Sequence, residues 1–283
     1  MARPRFSISS FLYAGQRLGR DQLRDVRAAG FDAIELFALR THVDYHDESA
    51  IGQLQEDLAA TGLVLDSVHA PTSDSFTGGR WGLSLNLASP DEATRAQALD
   101  EAMRALHVAR RLPFEVLVVH PGIPRGQQQS PVDNNRAAAR RSIETLVEAA
   151  QPLGVTIAVE LIPNTLSTPE SLVHLVEDVL ETGAASICLD LGHAHLDGDV
   201  LDAIETVSEH IAAVHAHDNG GREDDHLVPF EGTIDWPSAM TTLQKVGYEA
   251  PIVLELGSRG PALDTLARSS AARRRLERLL TTL

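Results

Sequence analysis

The chain has 283 residues, 43% of them hydrophobic, with 24 Lys and Arg against 40 Asp and Glu for a formal charge of −16. That is enough apolar material for a sizeable core, fits a single domain over residues 1–283, and excludes global disorder; so acidic a chain is also no general nucleic-acid binder, because phosphate contacts need a basic face. The single cysteine, Cys188, excludes an intrachain disulfide framework or a Cys-rich metal site. The single lysine, Lys245, lacks a surrounding GxxxxGK[ST] loop, which sets aside Schiff-base and Walker-type chemistry. No apolar run approaches the ~18 residues of a membrane span, and residues 1–10 lack the apolar stretch of a secretion signal. A cytoplasmic protein with no membrane partner is expected.

In chain order, short β-like runs fall at residues 6–9, 33–36, 64–69, 116–120, 155–160, 186–190, 211–217 and 252–255. Helical patterns fill the intervals near 20–29, 47–61, 91–111, 134–151, 169–182, 198–206, 236–246 and 261–281. Start signals stand at Ser89-Pro90 before Asp91, at Ser167-Thr168-Pro169-Glu170 and at Asp235-Trp236-Pro237. Gly30, Gly62, Gly154, Gly183 and Gly247 occupy the C-cap position before the next run. Eight strands each followed by a helix predict a single (β/α)8 TIM barrel, α/β in class. An open doubly wound sheet would place a glycine-rich turn after its first strand; the residues there are Ser9-Ser10-Phe11-Leu12-Tyr13.

In such a barrel the C-terminal strand ends form the active-site mouth. Six of the runs carry His69, His120, Glu160, Asp190, His215 and Glu255 at or near that end. Period-two alternation puts Val116, Val118 and His120 on one face, Thr156, Ala158 and Glu160 on another, and Ser186, Cys188 and Asp190 on a third. Taken singly, a strand-end histidine is ordinarily a hydrogen-bonded rim residue and a glutamate a rim ion-pair partner. Six at the same point of successive units are not independent, and buried carboxylates need a partner. A divalent metal would neutralise them. Cys188 reads as a small apolar filler. His193 follows the strand-end Asp190 by three residues and can turn back over the site, whereas His195 faces solvent or starts a helix. The acidic run 223–225, in isolation, is a solvated loop. His42, His46, His107, His174 and His210 lack a supporting pattern, and Arg273, Arg274 and Arg275 read as a solvated helix face.

These fragments together resemble the xylose isomerase-like metal barrels, a superfamily of sugar isomerases and epimerases that includes endonuclease IV. The resemblance runs over nearly the whole chain. It is carried by Ser67-Val68-His69-Ala70-Pro71, Val119-His120-Pro121-Gly122, Val159-Glu160-Leu161, Leu189-Asp190-Leu191-Gly192-His193, Val214-His215-Ala216-His217-Asp218, Asp224-Asp225-His226, Gly232-Thr233-Ile234-Asp235-Trp236 and Leu254-Glu255. It implies a central metal on Glu160, Asp190, His215 and Glu255. In endonuclease IV-like members a second metal would use His69, His120 and Glu160, and a third His193, Asp224 and His226. In epimerase-like members the residue at His193 contacts substrate instead. Two positions depart from the ketose 3-epimerase pattern: Gly221 stands where that pattern has an arginine, with Arg222 adjacent, and Leu166 where it has a glutamate.

The leading expectation is a metal-dependent isomerase or epimerase acting on a sugar, polyol or sugar-derived keto compound. Three carboxylates and one imidazole suit Mn²⁺, Mg²⁺, Co²⁺ or Fe²⁺, and added histidines favour Zn²⁺, Mn²⁺ or Fe²⁺, with one to three ions per chain. Glu160 and Glu255 would move the proton. His193, His217 and Arg222 would hold substrate hydroxyls, and loops 71–89, 121–134 and 219–232 would form a lid with Trp81 and Phe230 as apolar walls. The alternatives are a multinuclear phosphoester hydrolase and a lyase that expels a β-hydroxyl from the same enediolate. A homo-oligomer is compatible with the sequence.

Overall fold

The computed structural model describes residues 6–128, 130–179, 185–257 and 260–281. Gly183 and the end of the helical pattern 169–182 lie outside them. The barrel strands are β1 Phe6–Ser9, β2 Ala33–Phe37, β3 Val64–His69, β4 Val116–Val119, β5 Thr156–Glu160, β6 Ala185–Asp190, β7 Ile211–Ala216 and β8 Ile252–Leu254. Each pairs in parallel with its neighbours, and β8 returns to β1 to close the barrel.

The helices are α1 Arg20–Ala28, α2 Glu48–Thr61, α3 Glu92–His107, α4 Arg136–Ala150, α5 Pro169–His174, α6 Leu191–Asp197, α7 Val200–Thr206, α8 Trp236–Lys245 and α9 Ala262–Thr281. Their starts follow the sequence signals. Asp91 accepts from Thr94 N–H, Thr168 from Ser171 N–H with Pro169 next in line, and Asp235 from Ser238 N–H. Gly62 ends α2 at φ +69°, a left-handed conformation that glycine adopts at little cost. None of the described helices is long and apolar enough to cross a membrane.

Strand alternation sorts the residues into two layers. Ile8, Ile34, Leu36, Val68, Leu117, Val119, Ile157, Val159, Ile187, Leu189, Val214 and Leu254 point outward and are buried under the helices. The lumen holds small residues on one side, where Val116, Val118, Ala158, Cys188 and Ala213 pack together. Cys188 is thus the filler that its position predicted. Polar residues stand above and beside this cluster: Ser7, Glu35, Ser67, His69, Glu160, Asp190 and His215 are all buried.

Two elements lie outside the predicted pattern. Helix α6 starts directly from β6 without a loop, because Asp190 is at once the last strand residue and the cap that accepts from His193 N–H at 2.7 Å. Loop 71–89 contains a short antiparallel hairpin, Phe76–Thr77 with Arg80–Trp81, turned by Gly78 and Gly79 at φ +59° and +76°. Two consecutive positive φ values suit glycine and match the twist of the flanking strands. The arginines of α9 are not simply solvated: Arg275 lies over the Phe230 ring at 3.6 Å and Arg273 over Phe31 at 5.6 Å.

Candidate metal centre

The lumen face of β5 to β8 delivers its carboxylates and imidazoles to one place because the pairing register aligns their ends. Asp190 stands opposite His215, and Glu160 opposite Cys188, one step below Asp190. Glu160, Asp190, His215 and Glu255 each offer one donor atom, and these atoms lie within 4.8 Å of one another. His215 Nδ1 is 3.0 Å from Glu160 Oε1 and 3.9 Å from Glu255 Oε2. The central set implied by the family resemblance is therefore brought together.

Glu160 is also the meeting point of β3 and β4. His69 Nε2 lies 3.0 Å and His120 Nε2 2.9 Å from Glu160 Oε2, with the two rings edge to face at 5.0 Å. The tighter group, with all donors within 4.8 Å, is His69, Glu160 and His215, so His215 rather than His120 completes it. Burial opposes the charge on Glu160, but His215 and His120 outweigh it and hold the carboxyl well below its usual range.

The third set gains a member. His193, Asp224 and His226 converge as the resemblance implies, and His217 joins them within 4.8 Å. Asp224 Oδ2 is 3.1 Å from His193 Nε2 and 3.3 Å from His226 Nε2. The run 223–225 is thus more than a solvated loop. His217 is fully buried, stacked on His226 at 4.0 Å, and 3.1 Å from Asp190 Oδ1 without hydrogen-bond geometry. Its ring fits only because Gly192 has no side chain: a Cβ there would fall 2.0 Å from His217 Cε1. His217 is thus brought into this cluster and is not among the residues lining the cavity above it.

The chemistry of the donors fits a divalent cation. Asp190 Oδ2 and both ring nitrogens of His217 are buried without a hydrogen-bond partner among the described residues, a costly state unless something else satisfies them. Asp190 divides its work, Oδ1 capping α6 and Oδ2 left free. His69, His193 and His226 each donate Nδ1–H to a main-chain carbonyl and turn Nε2 toward a carboxylate, the orientation of a metal-ready imidazole.

Above the donors opens a cavity of about 530 Å³. His69, His120, His193, Asp224, His226 and Glu255 line it, whereas Glu160, Asp190 and His215 lie beneath. One wall is aromatic. Trp81, 45% exposed, sits 4.5 Å from Phe76 and stacks on Phe11 at 6.1 Å, with Phe37 alongside. Polar rim groups come from Thr72, Ser73, Ser84 and Gln127, so loops 71–89 and 121–134 do border the site. Phe230, the second expected wall, instead packs against Trp236 and Arg275 away from this cavity. Arg222 borders an adjoining cavity of about 510 Å³ that shares Pro124, Gln127 and Asp224 with the first. His195 bonds Thr233 Oγ1 and has no part in the cluster.

Two further residues shape the site without an expected role. Glu35, inside β2, is fully buried and 3.1 Å from His215 Nε2. Its signal was present, since a glutamate at the third position of the run Ala33-Ile34-Glu35-Leu36 faces opposite to its apolar neighbours. Asp218 organises the loop after β7, accepting from the N–H of Asn219, Phe230 and Ile234 and from the Trp236 indole.

The profile of the xylose isomerase-like TIM barrel family matches residues 23–279. The uncharacterized protein MJ1311 of Methanocaldococcus jannaschii is 31% identical over 264 residues, covering 89% of this chain and 83% of the relative. L-ribulose-5-phosphate 3-epimerase UlaE of Salmonella paratyphi A is 27% identical over 245 residues, covering 84% and 82%. Among solved structures, a D-tagatose 3-epimerase-like protein superposes with a TM-score of 0.80 at 27% identity, over 98% of both chains.

Proposed function

The chain belongs to the xylose isomerase-like TIM barrel family, and from that premise we propose that it is a divalent-metal-dependent isomerase or epimerase of a sugar or sugar-derived keto compound. The observation that carries this reading is the convergence of Glu160, Asp190, His215 and Glu255 beneath a sugar-sized cavity with one aromatic wall. Relatives named as 3-epimerases of ribulose 5-phosphate and, by structure, of a tagatose 3-epimerase type support it.

Those four residues would hold the ion, with Mn²⁺, Mg²⁺, Co²⁺, Fe²⁺ or Zn²⁺ suited to the donors. When bound, it would polarise a substrate carbonyl and acidify the neighbouring C–H. The protein's own part is proton movement and positioning. Glu160, held ionised by His215 and His120, would take the proton beside the carbonyl, and Glu255, which borders the cavity and has an oxygen within 4.8 Å of that of Glu160, would return one to the enediolate from its protonated form. Phe11, Phe37 and Trp81 cover the apolar face of the sugar and exclude water, while Thr72, Ser73, Ser84 and Gln127 offer partners to its hydroxyls.

The test is substrate-dependent incorporation of deuterium from D₂O next to the carbonyl of candidate ketoses, with and without chelator. Glu160→Gln and Glu255→Gln should each reduce exchange at least about 10²-fold. Full turnover in Glu160→Gln with metal bound would refute the assignment. Product analysis of the same reactions separates epimerisation from β-hydroxyl loss in a lyase.

A second reading, a multinuclear phosphoester hydrolase, draws on the two further donor sets around His69 and Asp224. Elemental analysis separates the readings: about one ion per chain supports the epimerase, and two or three together with cleavage of a phosphodiester reporter support the hydrolase.

A further inference from the structure

The imidazoles of the mouth are oriented by two different means. His69, His193 and His226 donate Nδ1–H to the carbonyls of Ala70 (2.7 Å), Leu161 (2.9 Å) and Glu255 (3.0 Å). Those carbonyls lie just past the ends of β3, β5 and β8, beyond the strand ladder. His215 is inverted. It sits within β7, its Nδ1 faces Glu160 Oε1, and its Nε2 points across the lumen to Glu35 Oε2 at 3.1 Å. Inside a closed barrel the main-chain carbonyls are committed to neighbouring strands, so an anchor for Nε2 there must be a side chain.

Glu35 is built for that task. The register of β2 on β3 sets it opposite Ser67, whose hydroxyl donates to the same Oε2 at 2.8 Å. Glu35 is fully buried, and its Oε2 meets both the Ser67 hydroxyl and His215 Nε2. It belongs to none of the three donor sets. A fully buried carboxylate that ligates nothing is expensive unless it orients something that does.

We propose that Glu35 is a positioning residue: it accepts Nε2–H of His215, fixes that tautomer, and so presents the Nδ1 lone pair to the set formed with Glu160, Asp190 and Glu255. Ser67 holds Glu35 in the rotamer that does this. The inference rests on the metal reading of that set. Removal of such an outer partner costs about 10–100-fold in metal affinity elsewhere.

The experiment measures Mn²⁺ binding, with the metal alone, by calorimetry on the wild type, Glu35→Gln and Ser67→Ala, beside ¹⁵N shifts of the His215 ring and thermal melts. The expected result is about 10–100-fold weaker binding in Glu35→Gln, a smaller loss in Ser67→Ala, and loss of the uniform Nε2–H tautomer in Glu35→Gln. Unchanged affinity and tautomer with only a lowered Tm would overturn the proposal and leave Glu35 a packing residue. If Glu35→Gln does not fold, undiminished Mn²⁺ affinity in Ser67→Ala overturns it. A wild type that binds no Mn²⁺, Zn²⁺ or Co²⁺ would refute the metal reading itself, and the tautomer in Glu35→Gln would still decide whether Glu35 orients the ring.

Discussion

Gly192→Ala sets two physical effects against each other, and the sign of the result distinguishes them. Gly192 is the second residue of α6, and its φ is not in the positive range. Backbone propensity alone therefore predicts that alanine stabilises this helix by about 0.5–1 kcal/mol. The packing predicts the reverse. An alanine Cβ would meet His217 at 2.0 Å from Cε1, 2.3 Å from Nδ1 and 2.4 Å from Nε2, well inside van der Waals contact. The ring has no room to retreat, because it is fully buried and stacked on His226 at 4.0 Å. Forcing a methyl into a packed site costs about 1–3 kcal/mol. The propensity gain offsets only part of this, so a net loss of about 1–2 kcal/mol is expected, or about 2–4 °C in Tm for each kcal/mol. The variant should also lose affinity for any ion held by His193, His217, Asp224 and His226. Scanning calorimetry of chelated protein and zinc titration read the two effects separately. A raised Tm with unaltered zinc binding would refute the steric argument.

Other outcomes follow from the same site. Asp218→Ala strands three main-chain donors and the Trp236 indole, and should lower stability by at least about 3 kcal/mol in urea titrations; a loss under 1 kcal/mol would mean water replaces the carboxylate readily. In chelated protein, burial opposes charge on His69 and His226, but Glu160 and Asp224 respectively outweigh it and raise both to about 9. Their stabilisation is then fully present below the unfolded imidazole value of about 6.5 and lost as pH rises through about 9, so the urea midpoint should fall between these values. Saturating metal should reverse that trend, since ligation needs deprotonated imidazoles; a flat profile in both states would contradict the ion-pair geometry. Trp81→Ala removes the aromatic wall of the cavity and should raise KM for a sugar substrate about tenfold with a smaller change in kcat, measured by steady-state kinetics; an effect confined to kcat would place Trp81 elsewhere in the reaction.

Much of this architecture was legible because it depends on local chemistry. Period-two alternation identified Val118 with His120, Ala158 with Glu160 and Cys188 with Asp190 as lumen-facing pairs, and the caps at Asp91, Thr168 and Asp235 need only neighbouring residues. Helix α6 is absent from the expected pattern because it begins directly at Asp190, which reads as a strand end and serves at once as the helix cap. The hairpin lies within a segment expected only as a lid loop, although the adjacent glycines Gly78 and Gly79 are the signature of its turn. Alternation sets Glu35 on the face opposite Ile34 and Leu36, but a single carboxylate does not say whether that face is lumen or solvent.

The eight-fold alternation of strand and helix and the residue types at each strand end are written in local chemistry, because periodicity and capping are properties of a few neighbouring residues. With one lysine and one cysteine, the sequence also sets aside Walker-type chemistry and a disulfide framework. Which of the strand-end side chains meet depends on how the barrel closes. Barrel closure sets Glu35 against His215 across 180 positions of sequence. It draws His217 away from the cavity into the cluster of His193, Asp224 and His226, and sends Phe230 to the last helix rather than to the mouth. Register and ring orientation are set by the packing of distant strands, and no local pattern encodes them.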